Sequence, residues 1–331
     1  MPPLRVFTWH VHGNYLWYLS RVPVEWYVPV APGRPPGYGG RSHSFPWPEN
    51  VHEVGVDDVK DVDVDCVLFQ AHDHWLTDQY RVLSEEQRRL PRIFLEHDPP
   101  REQPTETHHP VDDADVLIVH VTHFNDLMWN NRDSPTMVIE HGVEVPSHAR
   151  ASHRLGRGIV VVNNIRQRGR RLGYDVFRDC RSQVPLVLVG MDSLDAGGLG
   201  EIPNADLPGF VAEYRFFFNP IRYTSLGLAI LESMQVGLPV IGLATTELVT
   251  VVQDGVHGYL STNVNTLVDR MHALLADPRL AAELGENARA YARRRFGIDR
   301  FVDDWHRTLR AVVDSGSAQA SAATGLAQSR P

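Results

Sequence analysis

A single carboxylate interrupts an apolar, helix-spaced stretch. Residues 222–242 read RYTSLGLAILESMQVGLPVIG. Leu228, Leu231 and Met234 recur at helical spacing and are expected in a core, but Glu232 sits among them. A carboxylate there can accept both hydroxyls of a ribose diol. The plainer alternative is a solvated or ion-paired helix position. Ahead of it, Thr224 or Ser225 is placed to cap the helix, and Gly227 allows a ligand close to the backbone. A helix N-terminus that follows a strand offers free N–H groups and a positive dipole end to phosphate.

Two other groups of residues carry chemistry. Arg168 and Arg171 lie in a basic run, 166–171, between an apolar strand and a helix. That position suits a diphosphate, although a solvated basic loop is the bland alternative. Seventeen histidines are present, twelve at or before His141. His72-Asp73-His74 and the pair His120 and His123 raise the question of zinc. Histidines at i and i+2 after a strand diverge, however, and no third ligand has motif spacing, so no metal site is expected. A histidine acting as hydrogen-bond partner or base is expected instead, with His97 first and His72 and His12 as further candidates. Trp17 and Trp75 could stack on a sugar or an aromatic ligand.

The elements that must position these residues read as alternating strands and helices. Strands are expected at 4–9, 26–30, 65–70, 91–95, 114–121 and 136–139. A second series is expected at 159–162, 185–189, 216–218, from 239 and at 258–260. Polar clusters follow the strands, and ligands in open parallel sheets bind at strand carboxyl ends. Helical patterns are expected at 15–19, 84–90, 174–181, 248–253, 263–276, 277–294 and 299–313. Residues 31–50 read as a long loop. The fold class is α/β with two doubly wound parallel sheets. The expected limits are a first domain over 1–145, a second over 146–297, a helix over 298–314, and a disordered Ala/Ser/Gly/Gln-rich tail over 315–331.

The 222–242 stretch resembles the donor-site signature of family-4 retaining glycosyltransferases of the GT-B fold, S-R-x-E-G-F-G-L-x-x-L-E-A-M-A-x-G-x-P-V-x. Arg222, Gly227, Leu228, Leu231, Glu232, Met234, Gly237, Pro239 and Val240 fall in register. Thr224 stands where the first glutamate is expected, and Ser225-Leu226 replace Gly-Phe. The resemblance implies two Rossmann-like domains facing across a cleft, with the C-terminal helix crossing back to the first. It implies that Glu232 holds the nucleotide ribose and that the loop bearing Thr224 contacts the donor sugar. His97 matches a histidine facing that sugar, and Gly13 lies in the first loop, near donor and acceptor. Gly142-Val143 match the turn leaving the first domain, with His141 in place of Asn. Asn164 occupies the place of a diphosphate-binding arginine, and Gly190 ends the neighbouring strand. Arg168, Arg171 and Arg222 complete the expected clamp.

Composition limits the alternatives. Net charge is −9 over 331 residues, which argues against a nucleic-acid partner. Lys60 is the single lysine, so a phosphate clamp must use arginine and backbone N–H groups. Cys66 and Cys180 are far apart and read as reduced, and no leader or membrane span is evident, so a cytoplasmic location is expected. The expected activity is sugar transfer from a nucleoside-diphosphate sugar to a soluble small-molecule, glycan or protein acceptor. No metal or other cofactor is expected, and the oligomeric state is open. The alternatives are a catalytically degenerate nucleotide- or glycan-binding protein and a nucleotide-sugar epimerase.

Overall fold

Short apolar runs closed by polar residues become parallel strands in the computed structural model, which describes residues 2–42 and 45–328. The chain divides into two units, 1–140 with 299–331, and 141–298. In the first unit the strands are β1 (Arg5–Thr8), β2 (Glu25–Val30), β3 (Val51–Gly55), β4 (Cys66–Phe69), β5 (Arg92–Glu96), β6 (Val116–His120) and β7 (Thr136–Val138). Their order is β3-β2-β1-β4-β5-β6-β7, and every pairing is parallel. Strand order reverses between β1 and β4, the switch point at which open α/β sheets bind ligands. Phe7, Trp9, Val67, Phe69, Phe94 and Ile118 are part of its core.

The second unit holds β8 (Leu155–Val161), β9 (Leu186–Val189), β10 (Tyr214–Asn219), β11 (Val240–Leu243) and β12 (Gly258–Ser261), all parallel in the order β12-β11-β10-β8-β9. Central strand β10, YRFFFN, is buried at every position, as a strand covered on both faces must be.

Three features differ from expectation. Strand β3 was not anticipated, because in VHEVG only Val51 is buried and the edge position leaves His52 and Glu53 partly in water. The helix expected over 84–90 is only a 3₁₀ turn, Gln87–Arg89. There Ser84 and Gln87 cap each other reciprocally, Gln87 N–H to Ser84 Oγ at 3.1 Å and Ser84 N–H to Gln87 Oε1 at 2.9 Å. Pro91 then prevents extension. The tail expected to be disordered is helical as far as Gln328, in the helix Ile298–Gln328. Alanine's strong helix propensity and the absence of proline over 298–328 permit this. Residues 329–331 lie outside the described residues.

The helix Ile298–Gln328 packs within the first unit. Phe301 and Trp305 are fully buried. Trp305 Nε1 donates to Tyr15 Oη at 3.1 Å, and Arg300 donates to the Glu140 carbonyl at 2.9 Å. Among the described residues no helix is long and apolar enough to cross a membrane.

One buried histidine makes a stability prediction. His74 stacks on Trp9 with centroids 4.6 Å apart, and burial pushes its imidazole down from 6.5 to about 4. The unfolded chain therefore binds a proton more readily between these values. Stability is full above pH 6.5 and falls as pH drops toward 4, by about 3 kcal/mol from this group. Denaturant melts at pH 7 and pH 4.5 should show a smaller acid loss in His74→Phe than in wild type.

Candidate nucleotide-binding site and histidine cluster

In the second unit the carboxyl ends of β8 and β9 are stitched together. Asn163 Oδ1 accepts the Met191 N–H at 2.9 Å, and the Asn164 N–H donates to the Met191 carbonyl at 2.8 Å. Gly190 has φ 134°, and a Cβ there would lie 2.6 Å from the Val162 carbonyl oxygen, so only glycine lets the strand ends meet this closely. Asn164 is left-handed at φ 55°, and its Oδ1 is buried without a hydrogen-bond partner.

The arginine segment folds back onto the signature stretch. Arg168 closes a short helix, Ile165–Arg168, and Arg171 lies in the following 3₁₀ turn, Gly169–Leu172; both are half-buried. The Arg171 carbonyl accepts the N–H groups of Arg222 and Tyr223 at 3.0 and 3.2 Å. Arg222, expected on the diphosphate, instead grips Asp175 with two nitrogens at 2.6 and 2.7 Å and the Arg170 carbonyl at 2.7 Å. The Arg222 guanidinium holds the Asp175 carboxyl below its usual range. Arg222 thus braces the turn that presents Arg168 and Arg171.

The signature helix begins later than expected, spanning Leu228–Val236. Neither Thr224 nor Ser225 caps it; the N-cap is Gly227, with no side-chain hydrogen bond. The preceding backbone is committed elsewhere. Besides the bonds to Arg171, the Leu226 carbonyl accepts from His141 Nε2 at 2.9 Å. Thr224 is half-buried, while Ser225 and Leu226 are buried. Gly227 has an ordinary extended φ of −78°, and a Cβ built on it would meet nothing within 4 Å. Space is therefore open at the N-terminus of this helix. Glu232 is only 6% exposed, which excludes the solvated alternative. Leu231 and Met234 beside it are fully buried. Burying a carboxylate costs several kcal/mol unless it is well partnered.

In the first unit the sequence-predicted residues gather at the switch point. Gly13 opens the helix Gly13–Leu19, with Phe45 and His10 packed against its α-carbon. His97 follows β5, and its ring meets those of His12 and Tyr15 at 4.4 and 4.8 Å. Gln70 donates its amide to Thr8 Oγ1 and to the Trp9 carbonyl at 2.8 and 2.9 Å. A carbonyl can only accept, so Gln70 Oε1 faces His97 Nε2, 3.1 Å away, and that nitrogen carries the proton. Trp17 stacks on Phe45 with Arg21 over its ring, and Trp75 meets Phe69 edge-on with Arg92 over its ring; both tryptophans are half-buried.

The structure also assembles a cluster the sequence did not reveal. His72 Nε2 and His109 Nε2 lie 3.1 and 3.3 Å from Glu96 Oε2, and the Asp98 N–H donates to Glu96 Oε1 at 2.8 Å. Burial acts to raise the Glu96 carboxyl, but hydrogen bonds from His109 and His72 more than offset it and hold it well below the usual range. Ligand-type atoms of these three residues lie within 4.8 Å of one another. The donor set nevertheless does not fit a divalent ion. The Val111 N–H donates to His109 Nδ1 at 3.1 Å. His109 must therefore carry its proton on Nε2, the atom a metal would need bare. Metal-bound histidines show the opposite arrangement, donating from the far nitrogen. His72 and His74 diverge as expected, His74 turning into the core.

Two doubly wound parallel sheets, with the last helix returned to the first unit, are the architecture of the GT-B fold. Residues 159–277 match the family model described as Glycosyl transferases group 1. Solved structures of similar fold include a sucrose-phosphate synthase from Thermosynechococcus elongatus, at TM-score 0.69 and 16% identity over 95% of this chain and 100% of that one. Anabaena Alr3699/HepE in complex with UDP aligns at TM-score 0.68 and 14% identity over 94% and 100%. AviGT4, a glycosyltransferase involved in avilamycin A biosynthesis, aligns at TM-score 0.61 and 14% identity over 95% and 99%. At these identities the likeness is one of fold. No curated protein matches the chain by sequence.

Proposed function

We propose that the chain transfers a sugar from a nucleoside-diphosphate sugar to a soluble hydroxyl acceptor, with retention at the anomeric carbon, without a metal ion and in the cytoplasm. The observation that carries this reading is Glu232, buried one turn inside a helix whose N-terminus opens on unfilled space at Gly227. Glu232 takes the ribose diol. The first N–H groups of the helix, with Arg168 and Arg171, take the diphosphate. These donors oppose the negative charge that grows on the leaving diphosphate. The loop bearing Thr224 is assigned to the donor sugar. The family signature supports retention, and free Cys66 and Cys180 support a reducing compartment.

Thr224 and Asn164, where the family carries Glu and Arg, favour one second reading: a nucleotide-binding protein without turnover. Release of nucleoside diphosphate from donor sugars separates the two.

Calorimetric titration with UDP, GDP, ADP and TDP tests the proposal, since a chain that binds none of them defeats it. Gly227→Val sharpens the test. Its side chain enters open space, so folding should lose only about 1 kcal/mol from the poorer cap. The same side chain occupies the phosphate position, so nucleotide affinity should fall at least tenfold. Undiminished affinity would place the ligand elsewhere.

A further inference from the structure

We infer that Asp175 is a positioning residue which, by holding Arg222, sets the preference of the second unit for a nucleoside diphosphate over the monophosphate. The inference rests on the nucleotide-binding reading above and lies wholly within residues 141–298.

The phosphate donors of that reading come from separate loops. Arg168 and Arg171 follow β8, and the N-terminus of the helix Leu228–Val236 follows β10. A monophosphate can be met by one loop. A diphosphate spans both, so its affinity depends on the spacing between the loops as well as on the donors, and a spacing fixed in advance lowers the ordering cost of binding.

Backbone contacts set part of that spacing. The Arg171 carbonyl accepts the Arg222 and Tyr223 N–H groups at 3.0 and 3.2 Å. Gly173 brings the arginine turn so near the other loop that a Cβ on it would lie 1.8 Å from the Pro220 carbonyl oxygen. The remaining tie is made by side chains. Arg222 Nη1 donates to Asp175 Oδ1 at 2.6 Å, and Nη2 to Oδ2 at 2.7 Å. A planar guanidinium held by both oxygens of a carboxylate has one orientation. In that orientation Nη1 also reaches the Arg170 carbonyl at 2.7 Å, so Arg222 meets the arginine segment at two points.

Both ends of the tie are anchored. Asp175 lies in the first turn of the helix Tyr174–Arg181, where a negative charge suits the helix dipole. Val176, Phe177 and Cys180 fix that helix in the core. The Thr245 hydroxyl donates to the Ile221 carbonyl at 3.1 Å and holds the loop beside Arg222 to the end of β11. Arg170 also faces Asp175, at 2.6 Å, but its side chain is 78% exposed and water screens the contact. The sign of the effect separates two roles for Asp175. A carboxylate that merely repelled phosphate, or withheld arginine from it, would raise affinity when removed. One that sets the spacing lowers affinity when removed, and lowers it for the diphosphate alone.

Calorimetry on the full chain with UDP, GDP and ADP, the matching monophosphates and the free nucleosides reads this difference. Asp175→Asn should weaken the preferred diphosphate about tenfold and leave the monophosphate and nucleoside within about twofold. Its melting temperature should fall by only a few degrees, because the pair is partly exposed. Arg222→Gln should reproduce this pattern, and carries the comparison by itself should Asp175→Asn fail to fold. The double variant should bind no more weakly than either single one, since both remove the same contact. Unchanged or raised diphosphate affinity in Asp175→Asn would overturn the inference. So would equal losses for diphosphate and monophosphate, which mark a general loosening of the unit, or additive losses in the double variant, which place Arg222 on the ligand itself. A wild-type chain that binds no nucleoside diphosphate overturns the nucleotide reading and this inference with it. Wild-type binding with an unaltered Asp175→Asn overturns the inference alone.

Discussion

Glu232→Ala should bind the preferred nucleoside diphosphate about a hundredfold more weakly than wild type. Hydrogen bonds to an ionised carboxylate are worth about 1.5–3 kcal/mol each. Losing two ribose hydroxyls from one carboxylate removes roughly 3 kcal/mol, and every 1.4 kcal/mol is tenfold in affinity. Glu232→Gln keeps a hydrogen-bonding side chain and should fall between the two. Equal affinity in wild type and Glu232→Ala, measured by calorimetry, would remove the ribose assignment. A large loss of stability would show instead that the carboxylate is structural.

Gly173→Ala should have the largest effect on folding. Gly173 has φ +75°, where an L side chain is strained, and an added Cβ would lie 1.8 Å from the carbonyl oxygen of Pro220. That obstacle is backbone and cannot swing aside. Left-handed strain and the forced separation together should cost about 3–5 kcal/mol, or roughly 10 °C in the melting of the second unit. Function should fall with stability, because the turn before Gly173 holds Arg222 and Tyr223 through the Arg171 carbonyl. Gly169→Ala is the control. Its φ is also positive, +58° with ψ −135°, but nothing lies within 4 Å of the added atom, so its cost is backbone strain alone, about 1–3 kcal/mol. Equal melting of the two variants would show that the contact with Pro220 is not what requires glycine at 173.

The strands were legible because their signal is local. Runs such as 66–69, CVLF, and 216–218, FFF, can only be buried, and the polar residues closing them mark the carboxyl edge of a sheet. Strand β3 escaped for the converse reason, since an edge strand with one buried valine has little local signal. The end of the signature helix was readable from Gly237, which is left-handed at φ 106°. Its beginning was not, because Thr224 and Ser225 have capping chemistry while the backbone around them is held by Arg171 and His141, 51 to 85 residues earlier.

By itself the sequence determined two alternating α/β halves and the helix bearing Glu232. These follow from periodicity and side-chain chemistry over a few residues. Only the tertiary structure decided that Arg222 is spent on Asp175, 47 positions away, and that Glu96 gathers His72 and His109 from 24 and 13 positions to either side. Hydrogen-bond partners brought together by strand order leave no spacing in the chain. The direction of each bond, and so the nitrogen on which each histidine keeps its proton, exists only once the sheet has formed.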